Sequence, residues 1–86
     1  MSTCDLLNDF LKATNDVKKL NIHDNETLLI LYKFYKQSTL GDCDGLEPSY
    51  FDFTARAKYF AWKELKNMNK DDAMKQYIEK VKNLSI

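Results

Sequence analysis

LLILYKFYKQSTLGD, residues 28–42, sets two tyrosines and a lysine into an otherwise apolar helical run. Wound at about 100° per residue, Leu28, Tyr32, Tyr35 and Thr39 fall within about 60° of arc, with Lys36 and Leu29 on its flank. Leu31 and Phe34 extend the apolar surface the other way, so the stretch reads as a mostly buried helix with a single wet strip around Lys33 and Gln37. A purely structural helix would carry leucines where Tyr32, Tyr35 and Lys36 stand. Two aromatic rings with hydroxyls and one long cationic stem suit a ligand with a flat ring, a phosphate and an apolar part. The plainer alternative makes the tyrosines boundary residues of the core and lets Lys36 snorkel to solvent.

Working outward, residues 2–21 are expected to form a first amphipathic helix, with Ser2 or Thr3 as N-cap, Leu6, Leu7, Phe10, Leu11, Thr14 and Val17 repeating at three and four, and Leu20 as a candidate to continue the repeat. Lys18 and Lys19 are expected in its last turn, where cations complement the helix dipole. NIHDN, residues 21–25, breaks the pattern, and Asp24 or Asn25 is a sound cap for the second helix. His23 stands alone in this link and reads as solvated. The second helix is expected to stop near Thr39 to Gly41, and LGDCDGLEPSYFD, residues 40–52, is a loop of about a dozen residues that holds both glycines and the only proline. The aromatic residues Tyr50, Phe51 and Phe53 are expected to fold back and seal the core.

A third helix is expected over Thr54–Lys66, capped by Ser49 or Asp52, with Lys58 on the face that carries Thr54, Ala61, Trp62 and Leu65. A lysine there either snorkels or holds an anion. NKDDAMKQYIEKVKNL, residues 69–84, begins as a capped helix at Asn69 and turns Ala73, Met74, Tyr77, Ile78, Val81 and Leu84 inward. The expectation is all-α: four helices in one domain spanning residues 1–86, and no strand.

Composition narrows the function classes. Thirteen basic and thirteen acidic residues cancel, which disfavours nucleic acid and anionic membranes as partners. Cys4 and Cys43, the two cysteines, lack a CxxC spacing or a histidine cluster, so no metal site is expected; two free thiols are the first reading and a bridge between them the alternative. No apolar stretch approaches the length of a membrane span, and no signal peptide is apparent, so a cytoplasmic monomer without stable membrane insertion is expected. With one histidine, no GxSxG and no glycine-rich phosphate loop, no catalytic residue emerges and an enzyme is not expected. What recurs is tyrosine plus lysine on apolar faces of separate helices: Tyr32, Tyr35 and Lys36, then Lys58, then Tyr77.

At these residues the sequence resembles the acyl-CoA-binding protein family. The likeness runs through VKKL at 17–20, LYKFYKQSTLGDC at 31–43, FDFTARAKYFAWKELK at 51–66 and KDDAMKQYIEKVKNL at 70–84. It implies an up-down-down-up four-helix bundle. It also implies reversible binding, buffering and transport of long-chain fatty acyl-CoA thioesters, with that small-molecule ligand and no cofactor. Residue by residue, the resemblance places coenzyme A head-group contacts at Tyr32, Tyr35, Lys36, Lys58 and Tyr77. Lys36 and Lys58 would serve the ribose 3′-phosphate, the tyrosines the adenine and nearby phosphates, and Lys18 would lie close by; Thr14, Leu28 and Leu29 match positions near the acyl chain. Tyr59, Phe60, the short link around Ile22 and the early C-terminus depart from the family pattern. They touch the pocket rim or the bundle end, and so bear on chain length and head-group fit. The alternative function is a helical protein-interaction module that uses the same groove.

Overall fold

Three of the four helices begin where a short polar side chain takes up their free N–H groups. Asp24 accepts from the Glu26 amide at 3.2 Å and from the Thr27 hydroxyl at 2.7 Å. Asp52 accepts from the Ala55 amide at 3.1 Å, and Asn69 from the Asp72 amide at 2.7 Å. The computed structural model describes residues 3–84, with side chains from residue 5 onward, as α1 (Thr3–Val17), α2 (Asn25–Leu40), α3 (Phe53–Lys63) and α4 (Lys70–Leu84). Among the described residues there is no strand. The caps expected at Ser2 or Thr3, and the thiol of Cys4, lie outside the described residues and side chains.

The contacts fix the directions of the helices. Asn25, Leu28 and Leu29 at the start of α2 face Phe53, Thr54 and Ala57 at the start of α3. At the other end the Trp62 indole N–H donates to the Gly41 carbonyl at 2.9 Å, so α2 and α3 run parallel. Met68, just before α4, accepts from Gln37 near the end of α2, while Leu84 meets Thr27 and Ile22 at the far end; α4 is therefore antiparallel to α2. Leu20, just after α1, shares that end with Leu84, which makes α1 parallel to α4. The order is up-down-down-up. A parallel α2–α3 pair forces the connection to travel back along roughly 24 Å of helix, which explains the length of loop 41–52. The loop leaves α2 at Gly41, whose φ of +82° favours glycine, and whose N–H caps the Gln37 carbonyl.

Helix α4 packs on both α1 and α2, and α3 packs on α2 alone. The core is Phe10, Ala13, Leu31, Tyr77 and Val81, ringed by Val17, Ile22, Phe34, Met74, Ile78 and Leu84. Phe10 meets Tyr77 edge-on at 5.1 Å and Tyr35 at 6.0 Å, which joins three helices through aromatic contact.

Several sequence expectations fail against this packing. Gln37, expected in water, is 0% exposed, and Ser38 is buried beside it, while Leu28 and Tyr35 are 45% and 42% exposed. On α1 the buried line runs through Leu6, Phe10 and Ala13, so Leu7 and Leu11 face outward. α1 ends at Val17, and Lys18 and Lys19 sit beyond it in a tighter turn, their amides bonded to Asn15 and Asp16. Tyr50, Phe51 and Phe53 do not seal the core; they are exposed. α1, α2 and α4 already enclose the core, so the loop is left on the outside of α3.

Candidate functional site

Tyr32 and Lys36 are one turn apart on α2, and Lys58 and Trp62 are one turn apart on α3. Because the two helices run parallel, these pairs come level. The Lys36 Nζ lies 5.7 Å from the Tyr32 ring centroid and 5.6 Å from that of Trp62, and the Lys58 Nζ lies 5.3 Å from the Tyr32 ring. Tyrosine 32 thus has two ammonium groups against one ring. Neither has a carboxylate partner among the described residues, where Arg56–Glu47 is the ion pair formed. An ammonium group without a carboxylate partner is available to pair with a bound anion.

Next to this pair of cations the surface turns apolar. Between the end of α1, the face of α2 and α4 lies a cleft of about 430 Å³, lined by Val17, Lys18, Leu20, Ile22, Leu28, Leu31, Tyr32, Tyr35 and Tyr77. A second cleft, of about 420 Å³, lies between α2 and α3, lined by Asn25, Leu28, Leu29, Phe53, Thr54, Ala57 and Lys58. Leu28 belongs to both, so they meet across α2. Tyr77 is buried at the back of the first, with its ring 6.3 Å from that of Tyr35. Burial pushes its phenol above the ordinary tyrosine value, and Tyr35 adds to the shift.

Of the expected residues, Lys18, Leu28, Tyr32, Tyr35 and Tyr77 converge on the first cleft and Leu28, Leu29 and Lys58 on the second, while Lys36 lines neither and lies against the Tyr32 and Trp62 rings. Thr14 lines neither, and its hydroxyl donates to the Leu11 carbonyl at 2.7 Å. Sequence reasoning did not assign Leu20, Ile22, Trp62, Phe53 and Ala57 to the site. Leu20 was visible only as the last apolar position of the first helix, Ile22 as an apolar residue in a polar link, and Trp62 as the neighbour of Lys58 on the helical wheel. A larger hollow of about 520 Å³ between α1 and α4 holds none of the expected residues; its rim of Asp9, Asp16, Lys12 and Lys82 is balanced in charge.

The carboxylates with altered acidity serve the fold. Hydrogen bonds from Thr27 and the Glu26 amide hold Asp24 below its usual value, and those from Gln37 and the Asn67 amide do the same for Asp42. Among the described residues no three His, Cys, Asp or Glu side chains gather as metal ligands would.

Comparison with known proteins agrees with this geometry. Residues 8–81 match the family model described as Acyl CoA binding protein. The chain is similar to the acyl-CoA-binding protein of Brassica napus, 45% identical over 80 residues that cover 92% of this chain and 87% of that one. It also matches acyl-CoA-binding domain-containing protein 5-B of Danio rerio, 42% identical over 66% of this chain but only 14% of that longer protein. In three dimensions it is similar to the crystal structure of acyl-CoA-binding protein 2 of Oryza sativa, with TM-score 0.88 and 37% identity over 93% of this chain and 90% of the other.

Proposed function

The chain belongs to the acyl-CoA-binding protein family, and from that premise we propose that it takes up long-chain fatty acyl-CoA thioesters reversibly, buffers them and carries them. The family is one of binding proteins, and the reading assigns no catalytic step to this chain. The single observation that carries it is the pair of ammonium groups on the Tyr32 ring, at 5.7 and 5.3 Å, set directly beside apolar clefts. An anionic head and a long apolar tail are the two halves of one ligand.

In this reading Lys36 and Lys58 hold the ribose 3′-phosphate, Tyr32, Tyr35 and Tyr77 attend the adenine and neighbouring phosphates, and Lys18 adds charge from the end of α1. Leu28 and Leu29 are the wall against which the acyl chain lies, with Thr14 near it; a hydroxyl already bonded to its own backbone makes Thr14 a tolerable apolar neighbour. Each buried methylene contributes about 0.8 kcal/mol, so ten contribute up to roughly 8 kcal/mol before ordering costs. The head group supplies discrimination: a base stacked on an aromatic ring is worth about 1–3 kcal/mol, and each charge-assisted phosphate contact about 1.5–3 kcal/mol. The reading further takes residues 1–86 as one domain acting as a cytoplasmic monomer, with no nucleic-acid partner. No described helix is long and apolar enough to cross a membrane. The alternative of a protein-interaction module in the same groove is not favoured by the family.

Isothermal titration of the delipidated protein with palmitoyl-CoA, coenzyme A and palmitate tests the proposal. One-to-one binding of the thioester, with palmitate at least about a thousandfold weaker for want of every head-group contact, is the expected result. Equal affinities for palmitate and palmitoyl-CoA would overturn it.

A further inference from the structure

Lys36 is held in a way that Lys58 is not. Lys36 is partly buried whereas Lys58 is exposed, and the Lys36 Nζ lies against two rings, 5.7 Å from the Tyr32 centroid on its own helix and 5.6 Å from the Trp62 centroid on α3. A lysine with no carboxylate partner would otherwise extend its flexible stem to water. Tryptophan attracts a cation more strongly than the other aromatic rings do, so Trp62 is the stronger of the two holds.

Trp62 is itself fixed. Its indole N–H donates to the Gly41 carbonyl at 2.9 Å, and the Gly41 N–H in turn caps the Gln37 carbonyl at the end of α2. The ring thus reaches from α3 to the end of α2, and turning it away would give up that bond. Trp62 lines neither cleft. It carries no charge, and its one polar donor is spent on the backbone, so it has nothing left with which to hold a phosphate. What it does for an anionic ligand it does through Lys36. Lys58 stands one turn before Trp62 and meets the same Tyr32 ring at 5.3 Å, so fixing Lys36 also fixes where two cations from different helices can converge on one phosphate.

We propose that Trp62 is a positioning residue for Lys36, and that preference for a ligand bearing the ribose 3′-phosphate depends on this contact. The phosphate preference rests on the carrier reading; the placement of Lys36 does not.

The test uses the whole chain, Trp62→Leu, and protein grown on 5,7-difluorotryptophan, which alters Trp62 alone because the chain has one tryptophan. Fluorination preserves the ring shape and the N–H but weakens the negative face that attracts a cation. Each protein, its fold checked by circular dichroism, is titrated with palmitoyl-CoA and with the same thioester lacking the 3′-phosphate. Proton NMR of the Lys36 ε-methylene, without ligand, reads its place against the rings. Expected are an upfield ε-methylene signal that Trp62→Leu releases, and palmitoyl-CoA binding about tenfold weaker in Trp62→Leu and about threefold weaker in the fluorinated protein. The ligand without the 3′-phosphate should bind all three proteins alike. Should Trp62→Leu fail to fold, the fluorinated protein decides alone. Equal losses for both ligands, no loss on fluorination, or a wild type that binds the two thioesters equally would overturn the proposal. A wild type whose Lys36 signal is upfield but which binds neither thioester would overturn the carrier reading and leave the placement of Lys36 standing.

Discussion

Helix α2 has two sides that invert the usual rule. On one, Gln37, Ser38 and Thr27 are buried; on the other, Leu28 and Tyr35 are nearly half exposed. The buried polar side is a joint. Gln37 Nε2 donates to Asp42 Oδ1 at 2.8 Å and to the Met68 carbonyl at 2.7 Å, and the Asn67 amide completes the contact with Asp42 at 2.9 Å. It ties the end of α2 to the chain entering α4, and leaves Gln37 Oε1 buried without a partner. The exposed apolar side is the wall of the two clefts. Polar groups are buried where backbone ends must be satisfied, and the exposed apolar groups are those to which the proposed function assigns a ligand.

Substitutions can break this contrast. Removing both cations, with Lys36→Ala/Lys58→Ala, is expected to weaken palmitoyl-CoA binding by about 3–6 kcal/mol, two charge-assisted contacts, with little change in melting temperature. A collapse of thermal stability with normal residual affinity would make the lysines structural. On the joint side, Gln37→Ala is expected to lower stability by about 2–4 kcal/mol, from lost hydrogen bonds and a cavity. Its folded fraction should titrate like the wild type, and a large fall in affinity would join the two sides into one device.

Tyr77 sits between them, and Tyr77→Phe is expected to weaken binding by about 1 kcal/mol while folding is nearly unchanged; an unaltered dissociation constant would remove it from the site. Its raised folded pKa also has a sign. Below about pH 10 the phenol is neutral in both states, and above it the unfolded chain ionises first, so stability falls as pH rises. Denaturant melts above pH 10 should show less of this loss in the Phe variant. Asp42 works oppositely: its lowered pKa makes its contribution present above about pH 4 and lost as pH falls through the folded value. Asp42→Asn keeps an acceptor oxygen and should flatten the acid limb of urea stability; an unchanged limb would put the acid sensitivity elsewhere.

Much of this site was legible because tyrosine and lysine on an apolar helical face are costly residues for a core alone. Tyr32, Tyr35, Lys36, Lys58 and Tyr77 stood out for that reason; Tyr32, Tyr35 and Tyr77 line the first cleft, Lys58 lines the second, and Lys36 lies against the Tyr32 ring. Ile22 did not stand out, because an apolar residue in a short link has no period to set it apart, and Leu20 fitted the repeat of the first helix and so read as core. Gln37 was misplaced because its wheel position was judged by polarity, whereas its burial is caused by residues 30 positions further along.

By itself the sequence determined the four helices, the cap at Asn69, the break near Gly41 and the family, and it narrowed the other two caps to Asp24 or Asn25 and to Ser49 or Asp52, because these rest on bonds and periodicities within a few residues. The family resemblance implied that α2 and α3 run parallel; the tertiary structure alone decided that this brings the Lys36 and Lys58 ammonium groups to 5.7 and 5.3 Å from the Tyr32 ring centroid. It also decided that Gln37 is buried and that the aromatic loop faces outward. Burial and charge proximity depend on which helix packs against which, and a helical wheel contains no neighbour.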